Sequence, residues 1–171
     1  PGGAYVYQGE ELGLPEVEDL PDDALQDPTW ARSAHTDRGR DGCRVPIPWS
    51  GDDAPFGFGP QGSAPTWLPQ PEWFREFTAE REAADPGSML HLYAAALARR
   101  RALPELGDGP FTWLDAPEGA LAFARGDSFA CVVNVSAANV AVPAGAEVLL
   151  ASGPLGADGT VPVDAAVWYR R

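Results

Sequence analysis

Methionine, cysteine and histidine are all scarce in this chain. One methionine, Met89, occurs in 171 residues, and position 1 is proline. That pattern predicts a natural start elsewhere and a chain that is part of a longer polypeptide. The two cysteines, Cys43 and Cys131, fall in different predicted regions, and a lone pair without secretory context reads as two thiols rather than a disulfide. His35 and His91 stand alone, with no CxxC or HxxxH spacing, so no metal and no cofactor is expected. Positive charge is short as well: 12 Lys and Arg face 25 Asp and Glu, for a net charge of −13. An acidic surface repels phosphate backbones and anionic lipid, so nucleic acid and membrane are not expected partners. No apolar run reaches the roughly 18 residues of a membrane span. The chain shows no basic-then-apolar stretch at its start, and the expected location is cytoplasmic.

What is present argues for a packed core. Hydrophobic residues make up 44% of the chain, with six Trp and seven Phe, which excludes a disordered composition. The 19 glycines and 18 prolines predict many turns and loops. Residues 1–75 read as loop-rich, with a short strand first and a brief helix near Asp22–Leu25. Residues 72–103 carry helical signals, and residues 108–171 alternate like strands. The segment Leu103-Pro104-Glu105-Leu106-Gly107-Asp108-Gly109-Pro110 marks the change, giving expected domains of 1–106 and 107–171.

Asp85 before Pro86 predicts an N-cap with proline at the first helical position, and a helix over about 86–103. Met89, Leu92, Tyr93, Ala96 and Leu97 share one face at 3,4 spacing. Arg99, Arg100 and Arg101 fill the last turn, where the helix dipole favours cations, and Pro104 stops the helix. Strands are expected at Phe111–Leu114, Ala120–Arg125, Phe129–Val135, Val140–Val142, Glu147–Ala151 and Ala165–Arg170, in the rhythm of an antiparallel sandwich. Phe129–Val135 is apolar on both faces and so reads as a central, doubly covered strand. Asn134-Val135-Ser136 has the form of a glycosylation sequon but lies inside that strand.

The first residues are the most specific. In Gly3-Ala4-Tyr5-Val6-Tyr7-Gln8-Gly9-Glu10-Glu11-Leu12-Gly13 an apolar, aromatic run breaks at a glycine into acidic residues, as a buried strand entering a loop. The run resembles the eighth barrel strand of the α-amylase superfamily of glycoside hydrolases. Asp85-Pro86 with Ser88-Met89-Leu90, before an Arg-ending helix, is similar to the last barrel helix of its oligosaccharide α-glucosidases. The resemblance implies an α/β plus all-β chain: the end of a (β/α)8 barrel, with last strand, loops and last helix, followed by an antiparallel β-sandwich domain.

A second segment is Asp37-Arg38-Gly39-Arg40-Asp41-Gly42-Cys43-Arg44-Val45-Pro46-Ile47-Pro48-Trp49. An arginine fork can donate to two vicinal sugar hydroxyls, a neighbouring aspartate can hold an arginine still, and a tryptophan offers a stacking surface. By pattern alone, mixed Arg/Asp loops are also commonly surface ion pairs. The segment resembles the Arg-Asp-x-x-Arg-x-Pro-x-x-Trp stretch of the α-glucosidase and oligo-1,6-glucosidase branch, in an actinobacterial-type form. Gly42-Cys43 stands where Asn-Ala is frequent, and Val45-Pro46-Ile47-Pro48 where Thr-Pro-Met-Gln is. The resemblance implies that Arg44 binds outer hydroxyls of the non-reducing-end glucose, with Arg40, Asp41 and Trp49 as pocket wall. Trp67, in Trp67-Leu68-Pro69, matches a rim residue, although packing of a long loop explains such aromatics equally well. Glu11 matches a glutamate that positions the active-site end of the barrel.

No catalytic residue is expected in this chain. The family takes its nucleophile and acid from strands four and five and a further aspartate from strand seven, all upstream. Glu10 and Glu11 cannot replace them, since adjacent residues of an extended segment point to opposite sides. The expected function is therefore the C-terminal portion of a retaining, exo-acting α-glucosidase. Its implied partners are α-glucoside oligosaccharides and the missing N-terminal barrel of the same polypeptide. A non-catalytic carbohydrate-binding module and a glucosyl-transferring enzyme such as trehalose synthase stand as alternatives.

Overall fold

The computed structural model describes residues 2–60 and 62–171. Contacts divide the chain into two compact units inside its longest helix: Ala4–Tyr93, and Ala94–Arg171 with residues 2–3. The division lies upstream of the Leu103–Pro110 segment because Leu103 and Leu106 pack against one face of the C-terminal sheet. No helix among the described residues is long and apolar enough to cross a membrane.

The first unit is mostly loop, yet it has its own core. Val17, Leu20, Val45, Phe56, Leu68 and Phe74 are buried together, with Leu14, Leu25 and Trp73 packed around them. Rings supply much of the contact: Trp73 meets Phe74 edge-on at 4.7 Å and Phe77 at 5.7 Å. Helix α1 (Pro28–Arg32) is short, and Asp27 caps it by accepting from the Thr29 N–H at 2.9 Å, with Pro28 at the first position. Helix α2 (Ala79–Ala84) is capped the same way, the Thr78 hydroxyl accepting from the Arg81 N–H. The brief helix expected near residue 22 is a 3-10 turn over Asp22–Ala24.

Two expectations need correction here. Tyr5, Val6 and Tyr7 form no strand and are exposed, Tyr5 almost completely. A strand is defined by its ladder, and no strand among the described residues pairs with this run. A 3-10 turn over Glu10–Leu12 follows directly, framed by Gly9 at φ +90° and Gly13 at φ +57°. Helix α3 runs Met89–Ala102 rather than from Pro86. Asp85 does accept from a backbone N–H, but from Gly87 in a turn. Ser88 takes the capping role instead: its hydroxyl oxygen accepts from the His91 N–H, and its carbonyl from the Leu92 N–H. No residue of α3 is fully buried, and Met89 and Leu97 are exposed.

The second unit is an antiparallel sheet of five strands: β1 (Phe111–Leu114), β2 (Ala120–Arg125), β3 (Phe129–Asn134), β4 (Glu147–Ala151) and β5 (Ala165–Arg170), in the order β1-β2-β3-β5-β4. Register is set by alternation: Val132 lies opposite Ala122 on β2 and Val167 on β5, while Cys131 lies opposite Phe123 and Trp168. β3 is central and buried on both faces, as its composition predicts. One face packs Ala122, Ala130, Val132, Val167 and Tyr169 against Val140 and Val161. Fully burying each of these valines is worth about 1.5–3 kcal/mol. The other face packs Phe129, Cys131 and Leu149. The sandwich therefore consists of one sheet with a covering layer. The expected strand at Val140–Val142 is reduced to a bridge between Val140 and Val161, which supplies part of that layer.

Asn134 joins layer to sheet. Its amide nitrogen lies 2.9 Å from the carbonyl oxygens of Ala138, Val161 and Pro162, and its side-chain oxygen accepts from the Ser136 N–H and hydroxyl. It is fully buried, so the sequon form of 134–136 is a consequence of packing and not an accessible modification site.

Candidate functional site

The two specific sequence segments come together in the first unit. Gln8 donates from Nε2 to the carbonyls of Cys43 and Val45, at 3.3 Å each. The Tyr7 ring lies under the Arg40 guanidinium, 5.6 Å from ring centre to guanidinium carbon. The turn between them is pinned by its own carboxylates: Glu10 accepts from the Tyr7 N–H and Glu11 from the Gly9 N–H, at 3.1 and 3.0 Å.

The arginine segment is closed by two aspartates, Asp41 gripping the backbone of residues 26–27 and Asp27 gripping the Arg40 N–H. Asp41 is buried at 1% exposure, and its Oδ2 accepts from the N–H groups of Gln26 and Asp27 at 2.5 and 2.7 Å. Asp27 accepts in return from the Arg40 N–H at 3.1 Å and from Arg44 Nη1 at 2.9 Å. The side chain of Asp27 is only 9% exposed, against 37% for Arg44, so the ion pair is covered on its carboxylate side and open on its cation side. Asp41 Oδ1 has no hydrogen-bond partner among the described residues.

Charge follows this geometry. Hydrogen bonds from the Thr29 backbone and hydroxyl, then from the Arg40 backbone, with Arg44 beside it, hold the Asp27 carboxyl well below the usual carboxylate range. Burial works to lower the Arg44 guanidinium, but Tyr7 and Asp27 outweigh it and raise it, so this arginine stays charged.

Of the expected site residues, Arg44, Arg40 and Asp41 belong to this cluster. Arg44 is a half-exposed cation, Arg40 is stacked on Tyr7, and Asp41 is a buried clamp with no exposed surface to offer a ligand. Glu11 is half-buried and serves the turn. Trp49 and Trp67 are 50% and 68% exposed and stand outside the hydrogen-bonded cluster. Beside the loop a cavity of about 350 Å3 opens among Glu16, Glu18, Arg38 and Gly42; none of the six expected residues lines it. No three His, Cys, Asp or Glu side chains among the described residues stand close enough to hold a metal ion.

Asp27 is the residue that sequence reasoning missed. Its signal was the Asp27-Pro28 pair, an N-cap followed by a first-turn proline, the same pattern as Asp85-Pro86. Together these residues can present a fixed, charged, planar donor to a hydroxyl-rich ligand. Their own carboxylates are committed to backbone and to arginine.

Comparison with known proteins gives this arrangement its context. The family model described as "Alpha amylase, catalytic domain" matches residues 1–109. A protein of Rhizobium meliloti (strain 1021) named "Probable alpha-glucosidase" is 35% identical over 139 residues, covering 79% of this chain and 24% of that protein. Among solved structures, the alpha-glucosyl transfer enzyme XgtA is similar with a TM-score of 0.78 and 35% identity over 96% of this chain and 32% of its own. The trehalulose synthase MutB shares the fold, with a TM-score of 0.79 and 24% identity over 99% of this chain and 36% of its own. The chain thus spans about a quarter of the length of the first of these and about a third of the two solved structures.

Proposed function

Since the chain belongs to the α-amylase family of glycoside hydrolases, we propose that it forms the C-terminal part of a retaining, exo-acting α-glucosidase that acts on short α-glucoside oligosaccharides. The observation that carries this reading is the Arg44 guanidinium, fixed through Nη1 by a covered carboxylate, flanked by Tyr7 and still 37% exposed. A terminal glucose offers vicinal hydroxyls that a planar fork meets in pairs, and the charge strengthens each bond. An arginine held in place before the sugar arrives loses little entropy on binding, so more of the contact energy reaches the transition state.

Retaining hydrolysis uses two carboxyl groups about 5–5.5 Å apart, one attacking the anomeric carbon and the other protonating the leaving oxygen. In this reading both come from the upstream barrel, and this chain supplies one wall of the pocket at the C-terminal ends of the strands. The 35% identity to an alpha-glucosyl transfer enzyme favours a second outcome, in which a sugar hydroxyl replaces water in the second step.

The test is an assay of the polypeptide that includes the upstream barrel, on p-nitrophenyl α-glucoside and isomaltose. Release of α-glucose, followed by proton NMR before mutarotation, supports a retaining glucosidase. Excess transfer product at millimolar acceptor supports the transferase. Sugar binding without turnover would leave only the accessory-module reading.

A further inference from the structure

Asp27 has more bonds than a five-residue helix requires of its cap. One carboxylate oxygen, Oδ1, caps α1 through Thr29. The other, Oδ2, takes the Arg40 N–H and the Arg44 Nη1. The two oxygens thus divide the work: one holds the helix, the other holds the arginine segment. Asp41 fixes the same residue from behind, through the Asp27 N–H. Gly39 passes so close that any β-carbon there would fall 2.6 Å from Asp27 Cγ. The carboxylate is thus held by two backbone N–H groups and hemmed in by Gly39, and Arg44 is the charged side chain among its partners.

We infer that Asp27 is a positioning residue for the substrate-binding arginine, setting affinity for the terminal sugar by fixing the direction of the Arg44 fork. The inference rests on the reading of Arg44 as a sugar-binding group. Asp27 touches no substrate; it acts through Arg44. An arginine without this partner keeps its charge but gains rotamer freedom, and a freely turning fork pays ordering entropy each time a sugar binds.

The roles separate by substitution. Asparagine is as good an N-cap as aspartate, so Asp27→Asn keeps the helix contact and removes the negative charge that faces Arg44. Asp27→Ser also caps and serves as the second variant if the first folds poorly. The experiment is a double-mutant cycle in the full-length enzyme, with kcat and KM on p-nitrophenyl α-glucoside for wild type, Asp27→Asn, Arg44→Ala and the double variant, each checked by thermal melt. The expected result is a KM raised roughly 3- to 30-fold in Asp27→Asn with kcat changed less, and almost no further loss when Asp27→Asn is added to Arg44→Ala. Losses that multiply in the double variant would overturn the inference while leaving Arg44 in the site, because Asp27 would then act through the fold. Wild-type KM in both cap-preserving variants would overturn it as well. Wild-type kinetics in Arg44→Ala would instead sink the reading of Arg44, and this inference with it.

Discussion

A β-carbon placed on Gly39 would stand 2.6 Å from the carboxyl carbon of Asp27, closer than non-bonded carbons approach. The same glycine has φ +69°, a left-handed conformation that costs other residues about 1–2 kcal/mol. The chain thus passes Asp27 with only a hydrogen to spare, and this approach brings the Arg40 N–H onto the carboxylate. Replacing Gly39 should disturb the site through its aspartate.

Gly39→Ala in the full-length enzyme should therefore lower Tm by a few degrees and raise KM in the same direction as Asp27→Asn. Thermal melts and steady-state kinetics check it. Unchanged Tm and KM would mean that the loop yields at no cost, and that its contact with Asp27 does not fix anything.

Stability should carry the signature of a depressed carboxyl. Hydrogen bonds from Thr29 and Arg40 and the charge of Arg44 hold Asp27 ionised when folded, below its unfolded value near about 3.9. A depressed carboxyl stabilises the fold above the unfolded value and loses that contribution as pH falls through the folded one. The difference in unfolding free energy between wild type and Asp27→Asn should be largest above about pH 5 and shrink steadily below pH 4. Urea melts across pH 3–7 measure it; a difference that does not change with pH would contradict the assignment.

Asn134 makes the corresponding claim for the sheet. Its amide serves three carbonyls at 2.9 Å in a site with no exposure. Asn134→Ala should cost roughly 2–4 kcal/mol, because its bonds to the Val161 and Pro162 carbonyls and from the Ser136 N–H and hydroxyl are lost together and a cavity is left in a buried site. Asn134→Asp should cost more, since it would point an anion at the same oxygens. Denaturant midpoints decide it, and a loss under 1 kcal/mol for both would show that water takes over the bonds.

Some of this was legible in the sequence, for physical reasons. β1, β2, β4 and β5 fall on their expected residues because apolar alternation and Gly or Pro turns are local signals. β3 stops at Asn134, one residue early, because that side chain turns into the loop layer. The strand at 140–142 shrank to one bridge, and the run 5–7 formed none, because pairing depends on partners that composition does not report. At α3 the expected cap, Asp85, closed a turn instead, and Ser88, three residues on, capped the helix. The arginine segment was visible as a motif. Asp27 was not visible as part of it, because its partners reach back 13 and 17 residues.

The thiols should differ sharply in reactivity. Both cysteines are free, but burial in the sheet pushes the Cys131 thiol up to about 11, while Cys43 is half-exposed beside the Arg40 carbonyl. At pH 8, alkylation of the native full-length protein followed by peptide mapping should label Cys43 and spare Cys131 until the protein is unfolded. Equal labelling would mean that the sheet opens on the timescale of the reaction. The raised thiol contributes stability below its unfolded value near about 8.5 and loses it as pH rises toward the folded value.

The measurement closest to the centre is kcat/KM of full-length Arg44→Ala and Arg44→Lys on p-nitrophenyl α-glucoside, alongside their melting temperatures. Loss of a charge-assisted contact to a sugar hydroxyl predicts a fall of about one to two decades for alanine. Lysine should recover only part of it, since it keeps the charge and loses the planar fork. Both variants should melt close to wild type. Wild-type kinetics in Arg44→Ala would contradict the account, removing Arg44 from the pocket and reducing the clasp around Asp27 to a feature of the fold.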